Sequence, residues 1–263
     1  MKKISIILSF IILFLSCKKE KVEEEYYIKG LVYTVPEFSY WYTDFETGED
    51  VTVSIESSNL STVAENGMFS FNDVSNGVFN LDFEKNNYSK LKIFDYNSKL
   101  KFGDSMTYYT GIDPSKDIFY LFEKSSTMFE SDLTVEVENE QVTFYATINR
   151  PLTVSTVDSI RYFFVFIDET NDVSFDRYKY CASAIPIVYG QEVFQRINID
   201  DLSENIDEFD YNKTYYAIAY GVTYNKGYGD GKSKYFDNDK NVWIYMGLND
   251  TPSNIVSFSI NSK

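Results

Sequence analysis

Histidine is missing from all 263 residues. Its absence removes the Ser-His-Asp and Cys-His nucleophile systems together with imidazole zinc sites. Cysteine is scarce: Cys17 and Cys181 are the only two, too few for a thiolate zinc or iron–sulfur centre. Cys181 lies in the strand-like run Tyr178–Ile185, with no imidazole to activate it, and reads as a buried apolar thiol. Glycine totals 12 and forms no phosphate-cradling loop. Positive charge is short as well, with 24 basic residues against 40 acidic ones and a net charge of −16. Such a surface repels phosphate backbones and carries no basic stripe to offset this, so nucleic acid is excluded as a partner. The catalytic option left is a carboxylate pair, as in glycoside hydrolysis. Among 40 acidic residues such pairs arise by chance, so nothing here specifies an enzyme, and no cofactor is implied.

Long apolar runs are confined to the start. Lys2 and Lys3 precede the apolar stretch Ile4–Leu15, too short to span a bilayer but suited to a secretory signal. Phe14, Leu15, Ser16 and Cys17 close it. This resembles the lipobox of bacterial lipoproteins, although Phe14 stands where Leu is usual. The resemblance implies cleavage after residue 16 and lipid on Cys17, whose several acyl chains would hold the membrane at about 0.8 kcal/mol per buried methylene. Cleavage removes Lys2 and Lys3, leaving 22 basic residues against 40 acidic ones, a balance of −18. Residues 17–26 then form a charged tether, KKEKVEEE from Lys18 to Glu25, reaching about 25–30 Å when extended. Its acidic residues Glu20 and Glu23–Glu25 resemble the surface-export signal of Bacteroidota lipoproteins. The expected location is the outer membrane, lipid-anchored and facing the exterior.

From Tyr27 onward the pattern is β. Period-two runs rich in aromatic and β-branched residues cover 27–33, 51–55, 68–71, 78–83, 133–137, 142–148, 161–167 and 215–223, separated by Asn, Asp, Gly and Ser clusters. Only Asp200–Phe209 could form a helical turn or two. The expectation is an all-β chain of two tandem antiparallel β-sandwiches, 27–123 and 128–263, divided at the polar stretch Lys124–Thr127.

In the first of these, Asn66-Gly67 reads as a tight turn, Phe69 and Phe71 alternate inward, and Asn76-Gly77 turns the chain again before Phe79, Leu81 and Phe83 continue the inward face. The succession resembles the carboxypeptidase regulatory-like domain, a transthyretin-like sandwich common in exported Bacteroidota proteins. That implies a structural or docking role and no catalysis. In the second, Asn212–Tyr220 followed by Asn225–Gly229 resembles a fibronectin type III domain. The likeness implies a tyrosine at the start of this strand bonded back to the preceding corner. Tyr216, on the face of Ile218 and Tyr220, is the first choice, with Tyr215 the alternative. The tail Lys234–Lys263 is longer than one closing strand needs.

Four groups of candidate site residues stand out. Between Tyr33 and Val51, where the resembled family has a short loop, Pro36–Glu46 concentrates aromatics with carboxylates. Tyr40, Trp41, Tyr42 and Asp44 could form a sugar-binding platform, rings stacking on pyranose faces and the acid accepting hydroxyl hydrogen bonds. Equally, Phe38, Tyr40 and Tyr42 alternate as a strand's core face would. Asp168, Asp172 and Asp176 space oxygen ligands in the manner of a calcium loop, or simply form a solvated strand connection that lacks a turn glycine. Asp237–Asn241 has a weaker version of the same pattern. Ser105 and Ser159, in Asp104-Ser105-Met106 and Asp158-Ser159-Ile160, resemble the O-glycosylation acceptor of Bacteroidota exported proteins. Together these features point to a lipid-anchored binding or scaffold protein contacting glycan or another envelope protein. A carboxylate-dependent glycoside hydrolase and a purely structural lipoprotein are the alternatives.

Overall fold

A computed structural model describes residues 25–37, 45–100, 118–149, 161–183, 187–189, 192–223 and 233–261. Within these the chain is mostly β, with one short helix, Ile199–Asn205. The first half is organised around β1 (Tyr26–Val35), which pairs antiparallel with β2 (Glu46–Thr47), β5 (Met68–Val74) and β8 (Lys99–Leu100), and parallel with β9 (Ile118–Phe122). A second sheet has the order β4 (Ser61–Val63), β3 (Thr52–Ile55), β6 (Val78–Glu84), β7 (Leu91–Asn97). The parallel β1–β9 pair is a departure from the all-antiparallel expectation. Parallel neighbours cannot be joined by a tight hairpin, so β9 cannot be a hairpin partner of β1.

The expected inward face is in place. Phe69, Phe71, Leu81 and Phe83 are all buried in one core. Phe69 and Phe71 sit on the β1 sheet, Leu81 and Phe83 on the other. Phe69 meets Phe83 edge-on at 5.4 Å and Phe119 at 5.9 Å, the geometry that aromatic quadrupoles favour. Gly30 makes room for this cluster, since a Cβ there would lie 2.8–2.9 Å from the Phe119 and Phe69 rings. Asn66 and Gly67 adopt φ of 51° and 75°, and Glu65 and Met68 exchange both backbone bonds at 2.9 Å, a two-residue primed turn. At Asn76-Gly77 the chain instead leaves one sheet for the other.

The second half also stacks two sheets. One has the order β10 (Thr134–Glu138), β11 (Gln141–Thr147), β15 (Glu192–Asn198), β14 (Ile187–Tyr189). The other has β13 (Tyr180–Ala182), β12 (Arg161–Asp168), β16 (Thr214–Thr223), β19 (Leu248–Pro252), with β20 (Val256–Ser259) also on β16. All eight residues of β12 are buried, so this strand is covered on both faces. The inner face of β16 carries Tyr215, which stacks on Phe258, itself edge-on to Phe144 of the opposite sheet. The corner tyrosine is therefore Tyr215, and the first choice of Tyr216 is corrected. The Tyr215 hydroxyl bonds the backbone of Asp210, while the Tyr220 face turns outward to be covered by Phe175 and Phe166.

The stretch 124–127 between the halves is not a solvated linker. Ser125 and Thr127 are buried. The Glu37 carboxylate accepts bonds from Ser125 Oγ at 3.0 Å, Ser126 N at 2.6 Å and Ser126 Oγ at 2.7 Å. Arg161 donates to the Ser126 carbonyl at 2.8 Å. Nor is the first core made by the first half alone, because Met246 is buried within it.

Candidate binding face at the junction of the two halves

Two short strands, β17 (Lys234–Asp237) and β18 (Val242–Tyr245), form a separate hairpin. Their residues alternate, so each strand sends successive side chains to opposite faces. The Asp237 carboxylate is buried and accepts the N–H groups of Asp239 and Lys240 at 3.0 and 3.1 Å, which closes the turn locally. On one face Tyr235 packs against the first core, and Val242 and Ile244 are buried beside it. On the other face Lys234 opposes Tyr245 and Phe236 opposes Trp243. Tyr245 sits edge-on to Phe164 and Phe166 of the second core at 5.3 and 6.0 Å. The hairpin is thus wedged between both cores.

What that wedge leaves outside is an aromatic pair. Trp243 is 45% exposed and Phe236 37%, their ring centroids 5.4 Å apart and steeply inclined. The Lys234 ammonium lies 4.7 Å from the Trp243 ring centre and 5.5 Å from that of Tyr245. Tyr178 donates its hydroxyl proton to the Trp243 carbonyl at 2.6 Å. Burial pushes the Tyr235 phenol up to about 12 and raises Tyr178 and Tyr245 too, so these rings remain neutral donors at physiological pH.

Polar bonds fix the hairpin on both sides. Lys92 bridges Glu56 at 2.5 Å and Asp239 at 3.2 Å. Burial acts to lower the Lys92 pKa, but its bonds to Glu56 and Asp239 outweigh this and leave it raised. Glu56 is lowered by its hydrogen bonds from Lys92 and Asn80. Lys240 reaches Asp176 at 2.6 Å, while Gly247 N donates to Ser89 Oγ at 2.8 Å. An exposed ring pair on so firmly held a support is pre-organised for contact and loses little freedom on binding.

Of the residues singled out in the sequence, Cys17, Tyr40, Trp41, Tyr42, Asp44, Ser105 and Ser159 lie outside the described residues. Asp168, Asp172 and Asp176 lie within them, and each turns to a different partner. Asp168 Oδ1 accepts Thr170 N and Oγ1, both at 3.0 Å. Asp172 pairs with Arg177, and Asp176 accepts Ser174 Oγ at 2.6 Å besides Lys240. Among the described residues no three acidic or thiol groups converge as metal ligands. A cavity of about 430 Å³ opens at the far end of the second half, between Glu138, Glu140, Asp200 and Tyr211 over Ile199 and Ile260. Only the turn of the hairpin, Asp237–Asn241, stands out in the sequence, and there Asp237 accepts backbone N–H groups. The signal for the strands is the pair of alternating runs that flank it, Lys234–Asp237 and Val242–Tyr245.

No protein-family model and no curated protein matches the chain. Among solved structures it is similar to a candidate carbohydrate binding protein from Bacteroides uniformis, with 11% identity over 88% of this chain and 100% of the other and a TM-score of 0.29. It is also similar to a DUF3823 family protein of the same species, with 10% identity, 89% and 100% coverage and a TM-score of 0.30. The major pilin subunit BcpA of Bacillus cereus shows 10% identity over 90% of this chain and 70% of its own, with a TM-score of 0.24.

Proposed function

We propose that this chain is a non-catalytic binding module, held on the outer membrane by lipid on Cys17 and facing the exterior, that recognises glycan through the outer face of β17–β18. The observation that carries this reading is the exposed Trp243–Phe236 pair on a support bonded to both halves. Flat rings offer large apolar area with only two side-chain torsions to fix, and the apolar C–H faces of a pyranose match them, while its hydroxyls need nearby polar groups. Lys234 and the Lys240–Asp176 pair supply those groups. The first half serves as the carboxypeptidase regulatory-like spacer and the second as a fibronectin type III-like carrier of the hairpin. The platform at Tyr40, Trp41, Tyr42 and Asp44 remains a second proposed contact.

The test is an immobilised glycan panel probed with the wild type, Trp243→Ala and Phe236→Ala. Binding lost in both variants with the melting temperature unchanged supports the reading; binding retained by Trp243→Ala overturns it. For the anchor, Cys17→Ala should release the protein from the membrane fraction, and retention after a high-salt wash would refute lipidation.

One observation favours the hydrolase alternative. Asp82 is raised by burial beside Glu56, which is lowered, and carboxyls pushed apart in this way can divide acid and base roles. Glu56, however, is already held by Asn80 at 2.6 Å and by Lys92, so this cluster serves to seat the hairpin.

A further inference from the structure

We propose that the ligand of the β17–β18 face is an acidic glycan, one carrying a carboxylate or sulfate on the sugar that stacks on Trp243, and that Lys234 is the residue that reads this charge. The inference rests on the binding reading above and adds the ligand class.

The argument starts from how the cations around the hairpin are used. Lys240 is paired with Asp176, Lys92 with Glu56 and Asp239, Lys179 with Glu169 at 2.9 Å, and Arg177 with Asp172. Lys234 differs. Among the described residues its ammonium has no carboxylate within ion-pair distance and rests instead over Trp243 and Tyr245. In a chain with 40 acidic and 24 basic residues, carboxylates are plentiful, so an ammonium left to two aromatic faces is a charge with bonding capacity in reserve. A lysine ammonium has three donors, and a cation–π contact at an exposed site satisfies it weakly. Hydrogen bonds to an anionic oxygen are the stronger alternative.

Position makes this specific. A pyranose lying against the Trp243 ring carries its substituents at the margin of the indole, within reach of the Lys234 ammonium 4.7 Å from the ring centre. Drawing that ammonium toward a carboxylate or sulfate also uncovers indole surface for stacking, so charge recognition and stacking reinforce one another. A neutral sugar must displace the ammonium and offers it only uncharged hydroxyl acceptors, which make the weaker bond. The overall negative charge of −16 opposes polyanions at long range but is screened beyond about 8 Å at physiological salt, which leaves the local contact to decide.

The experiment measures binding of the full chain to acidic oligosaccharides, uronate and sulfated, each against its uncharged counterpart (the methyl ester or the desulfated chain). The wild type should bind at least one acidic member about tenfold more tightly than its counterpart, the worth of one charge-assisted bond at a partly exposed site. Lys234→Gln should reduce that ratio to near one, and Lys234→Arg should restore most of it. Trp243→Ala should weaken both members of the pair. Equal binding of charged and uncharged members by the wild type, or an unchanged ratio in Lys234→Gln, overturns the charge inference while leaving glycan binding intact. Unaltered binding of every glycan in Trp243→Ala instead refutes the binding reading on which it rests.

Discussion

The Tyr215 hydroxyl holds both backbone groups of one residue, accepting the Asp210 N–H at 2.9 Å and donating to the Asp210 carbonyl at 3.2 Å. Its ring lies between Phe209 at 5.3 Å and Phe258 at 5.8 Å, near-parallel to the first. The pair of bonds ties the corner after the helix to the start of β16. Tyr215→Phe keeps the ring packing and removes both bonds, leaving two partly buried backbone groups unsatisfied. Chemical denaturation should show a loss of about 1–3 kcal/mol, whereas Tyr216→Phe should stay within about 0.5 kcal/mol of wild type.

Asp82 gives a pH signature. Burial raises its carboxyl above the ordinary 3.8, Lys92 pulls it down, and Glu56 and Glu84 push it up again. A carboxyl with a folded-state value above its unfolded one binds its proton more tightly when folded. Stability therefore falls as pH rises through that value. Asp82→Asn should raise the melting temperature at neutral pH, and the gain should fade once pH drops below 3.8, where the wild-type group is protonated in both states. Melting curves across that range check the sign.

Gly221 is a packing requirement. A Cβ added there would lie 2.1 Å from the Thr127 carbonyl oxygen, and both segments are buried, so backbone must move. Gly221→Ala should cost about 3 kcal/mol or abolish soluble expression. Gly77→Ala is the control, since its Cβ would meet only the Phe79 ring at an ordinary 3.7 Å. It should be neutral or slightly stabilising in the same denaturation assay.

Met246 belongs to the second half in sequence and to the first core in space. Met246→Ala should destabilise the first core by about 2–5 kcal/mol. Hydrogen exchange should show the loss in β1, β3 and β6, although the substitution lies in the other half of the chain.

The β class and the inward face of Phe69, Phe71, Leu81 and Phe83 could be read from the sequence because each of those strands has one buried side, and alternation then reports burial directly. The corner tyrosine could not. Both sides of β16 are covered, Tyr215, Ala217 and Ala219 facing the opposite sheet while Ile218 and Tyr220 lie buried on the outer side. The larger residues thus marked the wrong face. Short strands such as β4 and β13 carry too few residues for a period to register. The exposed face of β17–β18 depends on where the hairpin docks, a long-range fact that no local pattern encodes. Its aromatics read from sequence like any others in a chain that is 18% aromatic.

The parallel pairing of β1 with β9 has a mechanical consequence. Residues 31–35 of β1 run alongside 118–122 of β9, and Glu123 N still bonds the Val35 carbonyl at 2.9 Å as the chain passes toward the second half. A pull arriving ahead of Tyr26 and resisted beyond Glu123 would draw these strands past one another lengthwise. Their hydrogen bonds would be loaded together in shear rather than opened one at a time, so the first half can act as a clamp under tension.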